Sequence, residues 1–259
     1  MTISNKTKAF LGSSIVPLLL VIVWQYVASS GYVASFILPS PNQIIKTFVT
    51  NFVEKEYALH IAASLKRVLI GFLIGTVSGF SFGLLMGLSR TAEKIFGPFF
   101  NVIRQVPIIG FIPLIIMWFG VTELPRIIII TVAAFYPVTL NTFAGIRNVP
   151  KEYFELSSVY GYKGLKLIRR IVIPAALPSI TTGITLALGM SWAMLMAAEL
   201  FIQTYFGIGT RIQLGRDKFN MALVIVGIIT VGALGFFMTT IVEQLAKALD
   251  RGKIIRKET

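Results

Sequence analysis

An all-α, polytopic membrane protein with about six transmembrane helices is the fold this sequence predicts, and three observations predict it. Of the 259 residues 55% are hydrophobic and only 14% charged, and the mean hydropathy is +0.80, far from the composition of a soluble domain. The apolar residues fall into runs near 11–29, 65–88, 96–119, 126–146, 171–200 and 219–246, each about as long as the roughly 20 residues that cross a bilayer as a helix. The connections between runs are short, which leaves no length for a separate catalytic domain.

A net charge of +13 would suggest nucleic acid as the partner of a soluble protein. In a membrane protein, basic residues gather in cytoplasmic loops instead, so the charge reads as an orientation signal and no nucleic-acid partner is expected. An even number of spans puts both termini on one side. If that side is cytoplasmic, the inner segments hold fifteen of the 24 Lys and Arg residues and the outer loops and margins hold eight, Lys66, Arg67 and Arg126 among them, with Arg104 left inside a span. Both termini are therefore expected in the cytoplasm. The absence of cysteine excludes a disulfide framework, a thiolate metal site and a cysteine nucleophile together.

The first run, Leu11 to Ala28, follows Lys6 and Lys8 as in a signal peptide, but it is long and lacks a small-residue cleavage site, so it is expected to stay as a first helix. After it, Leu38-Pro39-Ser40-Pro41 is a rigid lead into a segment, Asn42 to His60, whose apolar Ile44, Ile45, Phe48, Val49 and Phe52 recur at helical spacing. That segment is expected to lie along the outer interface. His60, the one histidine, has no Cys, His or carboxylate cluster beside it, so no metal site is expected and the residue is read as a surface side chain.

The second span carries Gly71, Gly75, Gly79, Gly83 and Gly87 at a strict interval of four. Such a ridge lets another helix approach its backbone closely, which is how helices associate in lipid, within the subunit or across a dimer. Pro98, Pro107 and Pro113 interrupt the third span and Pro137 the fourth, each removing a backbone hydrogen bond and bending its helix.

The longest internal polar segment, Arg147 to Arg170, is richer than a connector needs. Pro150 suits a helix start and Gly161 a helix stop, which predicts a short helix of about three turns. It carries Tyr153, Phe154, Val159 and Tyr160, and a water-facing helix has no reason to expose aromatics unless a partner or a lipid surface covers them. From Glu155 the chain reads E-L-S-S-V-Y-G, and nine residues later Ile171-Val172-Ile173-Pro174. This resembles the EAA motif, E-A-A-x-x-x-G followed by I-x-L-P, of the permease subunits of binding-protein-dependent ABC importers. Glu155, Gly161, Ile171 and Pro174 stand in register, and Leu156, Ser157 and Ile173 depart from the motif. Leu38–Pro41, Ser64–Phe72, Pro113–Gly120, Phe135–Thr142, Ile173–Pro178 and Trp192–Glu199 are similar to segments of the branch that carries sulfonates, taurine, nitrate, bicarbonate or cyanate.

The resemblance implies a type I ABC importer transmembrane domain at 60–248, with a coupling loop at 147–170, an N-terminal membrane helix and outer interfacial segment at 1–59, and a basic cytoplasmic tail at 249–259. It implies that the loop helix seats in a groove of a separate ATPase, with Glu155 meeting a basic or amide group there and Gly161 letting the chain turn out. Tyr153, Phe154, Ser157, Ser158 and Tyr160 complete the expected docking set. The implied partners are two ATP-binding cassette ATPase subunits, a second permease subunit, most simply a second copy of this chain, and an extracytoplasmic substrate-binding protein that meets the outer loops around Leu38–His60 and Thr204–Asn220. The implied setting is a bacterial or archaeal cytoplasmic membrane. No G-x-x-x-x-G-K-[ST] loop is present, so ATP and Mg²⁺ are expected on the partner subunits and no cofactor or catalytic residue in this chain.

For the translocation path, an ionisable side chain within lipid marks a pathway or an internal pair, or else reaches back to the surface. Arg104 and Glu199 invite these readings, pairing between them included, and Gln105, Asn141, Thr142 and Trp192 are path-lining candidates. The main alternative is a secondary transporter, which would show two related halves; no internal repeat is visible. An intramembrane enzyme would need catalytic groups at matching depth, and the spans offer only Arg104 and Glu199.

Overall fold

The computed structural model describes residues 2–53, 55–202 and 205–254, with 2–14, 17, 55 and 249–254 described by backbone alone. The described residues are overwhelmingly helical: α1 Thr2–Ser29, α2 Pro41–Val53, α3 Lys55–Leu88, α4 Arg90–Ile103, α5 Ile112–Phe119, α6 Glu123–Arg147, α7 Lys151–Val159, α8 Gly164–Leu167, α9 Ile173–Phe201, α10 Ile208–Asp217 and α11 Met221–Ile254. Among the described residues four stretches are long and apolar enough to cross a membrane: Glu56–Leu88, Glu123–Arg147, Gly164–Phe201 and Met221–Ala248. A fifth forms if Arg90–Ile103 and Ile108–Phe119 count as one broken span, and Leu18–Ser29 is a shorter apolar helix. The first expected span falls partly on side chains outside the description, as do Lys6 and Lys8; of the basic tail, 255–259 lie outside it altogether, and so does Thr204 of the second outer loop.

The chain divides into two compact units, one formed by 1–62 with 206–231 and the other by 63–205 with 232–259. In the first unit the Leu38–Pro41 run has a local cause. Ser40 Oγ accepts from the Gln43 amide at 3.3 Å while Gln43 Oε1 accepts from the Ser40 amide at 3.1 Å, a reciprocal capping box with Pro41 at the first helical position. Ser40→Ala should cost α2 about 1 kcal/mol, visible as faster hydrogen exchange at Gln43 and Ile44. Ile44, Tyr57, Ala222 and Val226 form the unit's core, with Trp24 packed against it. The Trp24 indole donates to the Pro39 carbonyl at 3.1 Å.

Two expectations are corrected in this unit. The interfacial segment does not run from Asn42 to His60: α2 stops at Val53, and the residues from Lys55 onward belong to the long helix that becomes the second span. Nor is His60 a surface residue. It is 4% exposed, its Nδ1 lies 2.8 Å from the Gly207 carbonyl oxygen and 3.0 Å from the Gly207 nitrogen, and the Phe206 ring meets it edge-on. A histidine with apolar neighbours at helical spacing is as readily an interior residue that ties a loop backbone as an exposed one.

In the second unit the five glycines of α3 pack on α6. A Cβ at Gly71 would fall 2.6 Å from Ile130 Cβ, at Gly79 2.7 Å from the Phe135 carbonyl oxygen, at Gly83 2.6 Å from the Thr139 carbonyl oxygen and at Gly87 2.9 Å from Ile146 Cβ, while at Gly75 it would strike the Thr131 carbonyl. The ridge therefore joins two helices of one chain. Helices α6 and α9 approach in the same way, with Gly145 against Ser179 and Gly183 against Asn141. The core formed by Phe72, Ala134, Val138, Ala187 and Leu188 fills the space between all three.

The prolines act more strongly than simple kinks. Pro107 has no amide and pushes Val106 out of helical geometry, so α4 ends at Ile103 and the halves of the third span meet at 81°. Gly120, at φ 71°, then ends α5. Pro174 stands in the first turn of α9 and Pro178 inside that helix. The helical stretch begins at Gly164 and passes through both prolines, with a π-helical turn over Ile168–Val172 just before Pro174. A proline ring collides with the carbonyl four residues back, here Arg170, and the wider turn gives that carbonyl room.

Candidate functional site

Three places in the second unit carry the chemistry. The first is α7. Pro150 stands at its N-cap and Tyr160 at its C-cap. Gly161, at φ 67°, donates to the Ser158 carbonyl at 3.1 Å, and Tyr162 donates to the Ser157 carbonyl at 2.9 Å. This is a complete Schellman closure, in which only glycine takes the left-handed position without strain. Ser157 is the one buried residue of the helix, at 3% exposure. Tyr153, Phe154, Leu156, Val159 and Tyr160 are exposed, the last two at 82% and 68%, and Glu155 and Ser158 are exposed too. Ser158 and Ser157 turn their hydroxyls onto the Glu155 and Phe154 carbonyls, both at 2.7 Å. Just beyond, the Tyr162 ring is covered by Lys166 Nζ at 4.6 Å and the Arg170 guanidinium at 5.7 Å. The arrangement presents aromatic and aliphatic side chains on a short rigid helix between two long apolar ones, a form suited to protein docking.

The second is a buried charge cluster. Arg67 donates to Glu199 Oε1 at 2.7 Å and, through Nε and Nη2, to both oxygens of Glu123 at 2.6 and 2.7 Å. Ser64 Oγ donates to Glu199 at 2.8 Å. Arg126 bonds Glu123 at 3.0 Å and the Ile202 carbonyl at 2.5 Å. The Arg67, Arg126 and Glu199 side chains are 7%, 0% and 0% exposed, while Glu123 keeps 55%. Two cations and two anions cancel, and their hydrogen bonds tie α3, α6 and α9 together. Hydropathy puts Arg67 and Arg126 in outer loops and their margins, and this hides the cluster at the level of sequence. The signals were there: Glu123 and Arg126 have the i,i+3 spacing of a helical ion pair, and an acid inside a span needs a cation at its depth.

The third is the break between α4 and α5. Arg104 and Gln105 are exposed there. Arg104 Nε donates to Asn101 Oδ1 at 3.0 Å and Gln105 Nε2 to the Asn101 carbonyl at 2.9 Å. Pairing between Arg104 and Glu199 does not occur, since Glu199 is held by Arg67. The structure does not bring the six path candidates together. Glu199, Thr142 and Trp192 are buried, at 0%, 0% and 8% exposure; Thr142 stands against Gly83 and Trp192 against Gly235. Asn141 is half-buried and donates to the Pro137 carbonyl at 2.8 Å. Among the described residues no group of His, Cys, Asp or Glu is placed to hold a metal.

The chain matches the family model described as "Binding-protein-dependent transport system inner membrane component" over residues 58–252. It is 34% identical over 245 residues to the Bacillus subtilis "Putative aliphatic sulfonates transport permease protein SsuC", covering 95% of this chain and 88% of that protein. It is 30% identical over 235 residues to the Escherichia coli "Taurine transport system permease protein TauC", covering 89% and 85%. It is also 30% identical over 241 residues to the Synechococcus elongatus "Bicarbonate transport system permease protein CmpB", covering 89% and 86%. In fold it is similar to a chain of the MetNI methionine ABC transporter, with a TM-score of 0.60 at 18% identity over 73% of this chain and 94% of that one.

Proposed function

This chain belongs to the family of binding-protein-dependent transport system inner membrane components and is the membrane-spanning permease of an ATP-binding cassette importer, and from that premise we propose that α7 is the helix that couples it to its ATPase. The exposed aromatic face of α7, closed by the Gly161 turn, is the observation that carries this reading. Glu155, Tyr153, Phe154, Ser158 and Tyr160 meet the ATPase, and Ser157 faces this chain's own interior. ATP and Mg²⁺ stay on the partner subunits, where hydrolysis occurs.

Further parts of the reading follow from the family. Two copies of this chain pair with two ATPase subunits, and both termini lie in the cytoplasm. An extracytoplasmic binding protein delivers the solute to the segments around Leu38–His60 and 204–220. Residues 60–248 form the transport domain, preceded by an appended helix and α2 at 1–59 and followed by a basic tail at 249–259. The solute is a small organic or inorganic anion, as the names of the sulfonate, taurine and bicarbonate relatives suggest, and an aliphatic sulfonate fits best. The path runs past Arg104 and Gln105, with the half-buried Asn141 near it; Thr142, Trp192 and Glu199 support the helices that line it.

The coupling assignment is tested by the double substitution Glu155→Ala, Gly161→Asp. Aspartate in the left-handed turn costs roughly 1–2 kcal/mol and reorients the exit of the helix, while the alanine removes the anchoring charge. Co-purification of the ATPase and ATP-driven uptake should both fall by about tenfold or more, with helicity and monodispersity of the permease unchanged. Full ATPase retention and uptake would refute the assignment.

A further inference from the structure

At the helix break, Arg104, Val106, Pro107, Tyr136, Leu140 and Met190 line a cavity of about 280 Å³, several times the roughly 30 Å³ that one water takes in the liquid. Its lining combines one charged group and one phenol with apolar side chains. Arg104 supplies a cation whose guanidinium makes one hydrogen bond among the described residues, from Nε to Asn101, so within that set both terminal nitrogens are without a protein acceptor and no carboxylate neutralises the charge. This contrasts with Arg67, Arg126 and Arg147, each of which is paired with an acid. Tyr136 adds a phenol, and the remaining wall is aliphatic, with Leu140 and Met190 38% and 44% exposed. An uncompensated guanidinium beside an apolar wall is complementary to an oxyanion that carries an alkyl group.

We propose that this cavity is an anion subsite within the permease that selects an alkyl-bearing oxyanion such as an aliphatic sulfonate over a bare one such as nitrate or bicarbonate. The inference rests on the reading of the chain as an anion importer and adds a place and a selectivity to it. Guanidinium hydrogen bonds hold the oxyanion head in either case. Only the alkyl ligand also covers the aliphatic wall, and each buried methylene is worth roughly fourfold in affinity.

The absence of cysteine gives a direct test with the complete transporter, this chain together with its ATPase, in lipid nanodiscs. Leu140→Cys places a single thiol in the cavity. It should react with the anionic reagent sulfonatoethyl methanethiosulfonate faster, relative to the cationic trimethylammonioethyl reagent, than it does when Arg104→Gln is added; the ratio of the two rates should drop by about tenfold. Arg104→Lys should keep most of the preference, which separates charge from mere packing. Butanesulfonate should slow the reaction at concentrations at least about tenfold below those needed for methanesulfonate or nitrate. ATP-driven butanesulfonate uptake by the wild type, with binding protein supplied, is measured alongside. If uptake occurs but the rate ratio ignores Arg104, or if nitrate protects as well as butanesulfonate, the subsite is overturned and the importer reading stands. If no anion is taken up at all, the anion reading falls and the subsite falls with it.

Discussion

Glu199→Ala is expected to destabilise the folded protein by about 3–5 kcal/mol, because it strands a buried cation. Glu199 is fully buried and accepts from both Arg67 and Ser64, and without it the half-exposed Glu123, which also bonds the fully buried Arg126, is the carboxylate left to Arg67 among the described residues. Removing one partner of such a group costs far more than the pair contributes, since the remaining charge has lost its compensation but not its burial. The corresponding double substitution, Arg67→Met with Glu199→Ala, should recover at least about 2 kcal/mol of the loss, because it removes the charge together with its partner. Thermal unfolding of the four proteins of that cycle, in one detergent, measures the coupling. Additive losses would show that Arg67 and Glu199 stabilise the fold independently. The neutral balance of the cluster also says why it is a fastener of helix ends and not a place for an anion: each cation already faces a carboxylate.

The second large effect is on the glycine ridge. Gly75→Ala puts a methyl group into the Thr131 carbonyl and within 2.6 Å of Ala134 Cβ, both on the backbone or first carbon of α6, where no rotamer change relieves the overlap. A cost of about 1–3 kcal/mol is expected for the alanine, and Gly75→Val with Gly79→Val should prevent α3 and α6 from packing at all. Gly189 and Gly232 supply the control, since a Cβ at either meets nothing within 4 Å. Alanine there should be neutral or stabilising by up to about 1 kcal/mol, through helix propensity alone. Equal losses at Gly75 and Gly189 in a thermal-shift series would mean that the ridge matters through backbone flexibility and not through close approach.

The class of the protein is legible in its residues alone. Hydropathy runs of bilayer length, a four-residue glycine interval and a loop helix that starts at Pro150 and stops at Gly161 are local or periodic properties, and local properties survive translation into structure. Pro150, Gly161 and the five ridge glycines each do what the residue type requires: a fixed φ, a left-handed turn, an absent Cβ. How polar groups far apart in the chain compensate one another is not legible there and emerges only from the packed helices. Arg67 and Glu199 lie 132 residues apart and His60 and Gly207 147. No periodicity encodes such a meeting, because it depends on which helix faces come together at which depth. The same holds for Arg104: its type announced a charge within a span, but only the 81° break and the cavity beside it decided that the charge faces open space while the arginines of α3 and α6 are neutralised by acids.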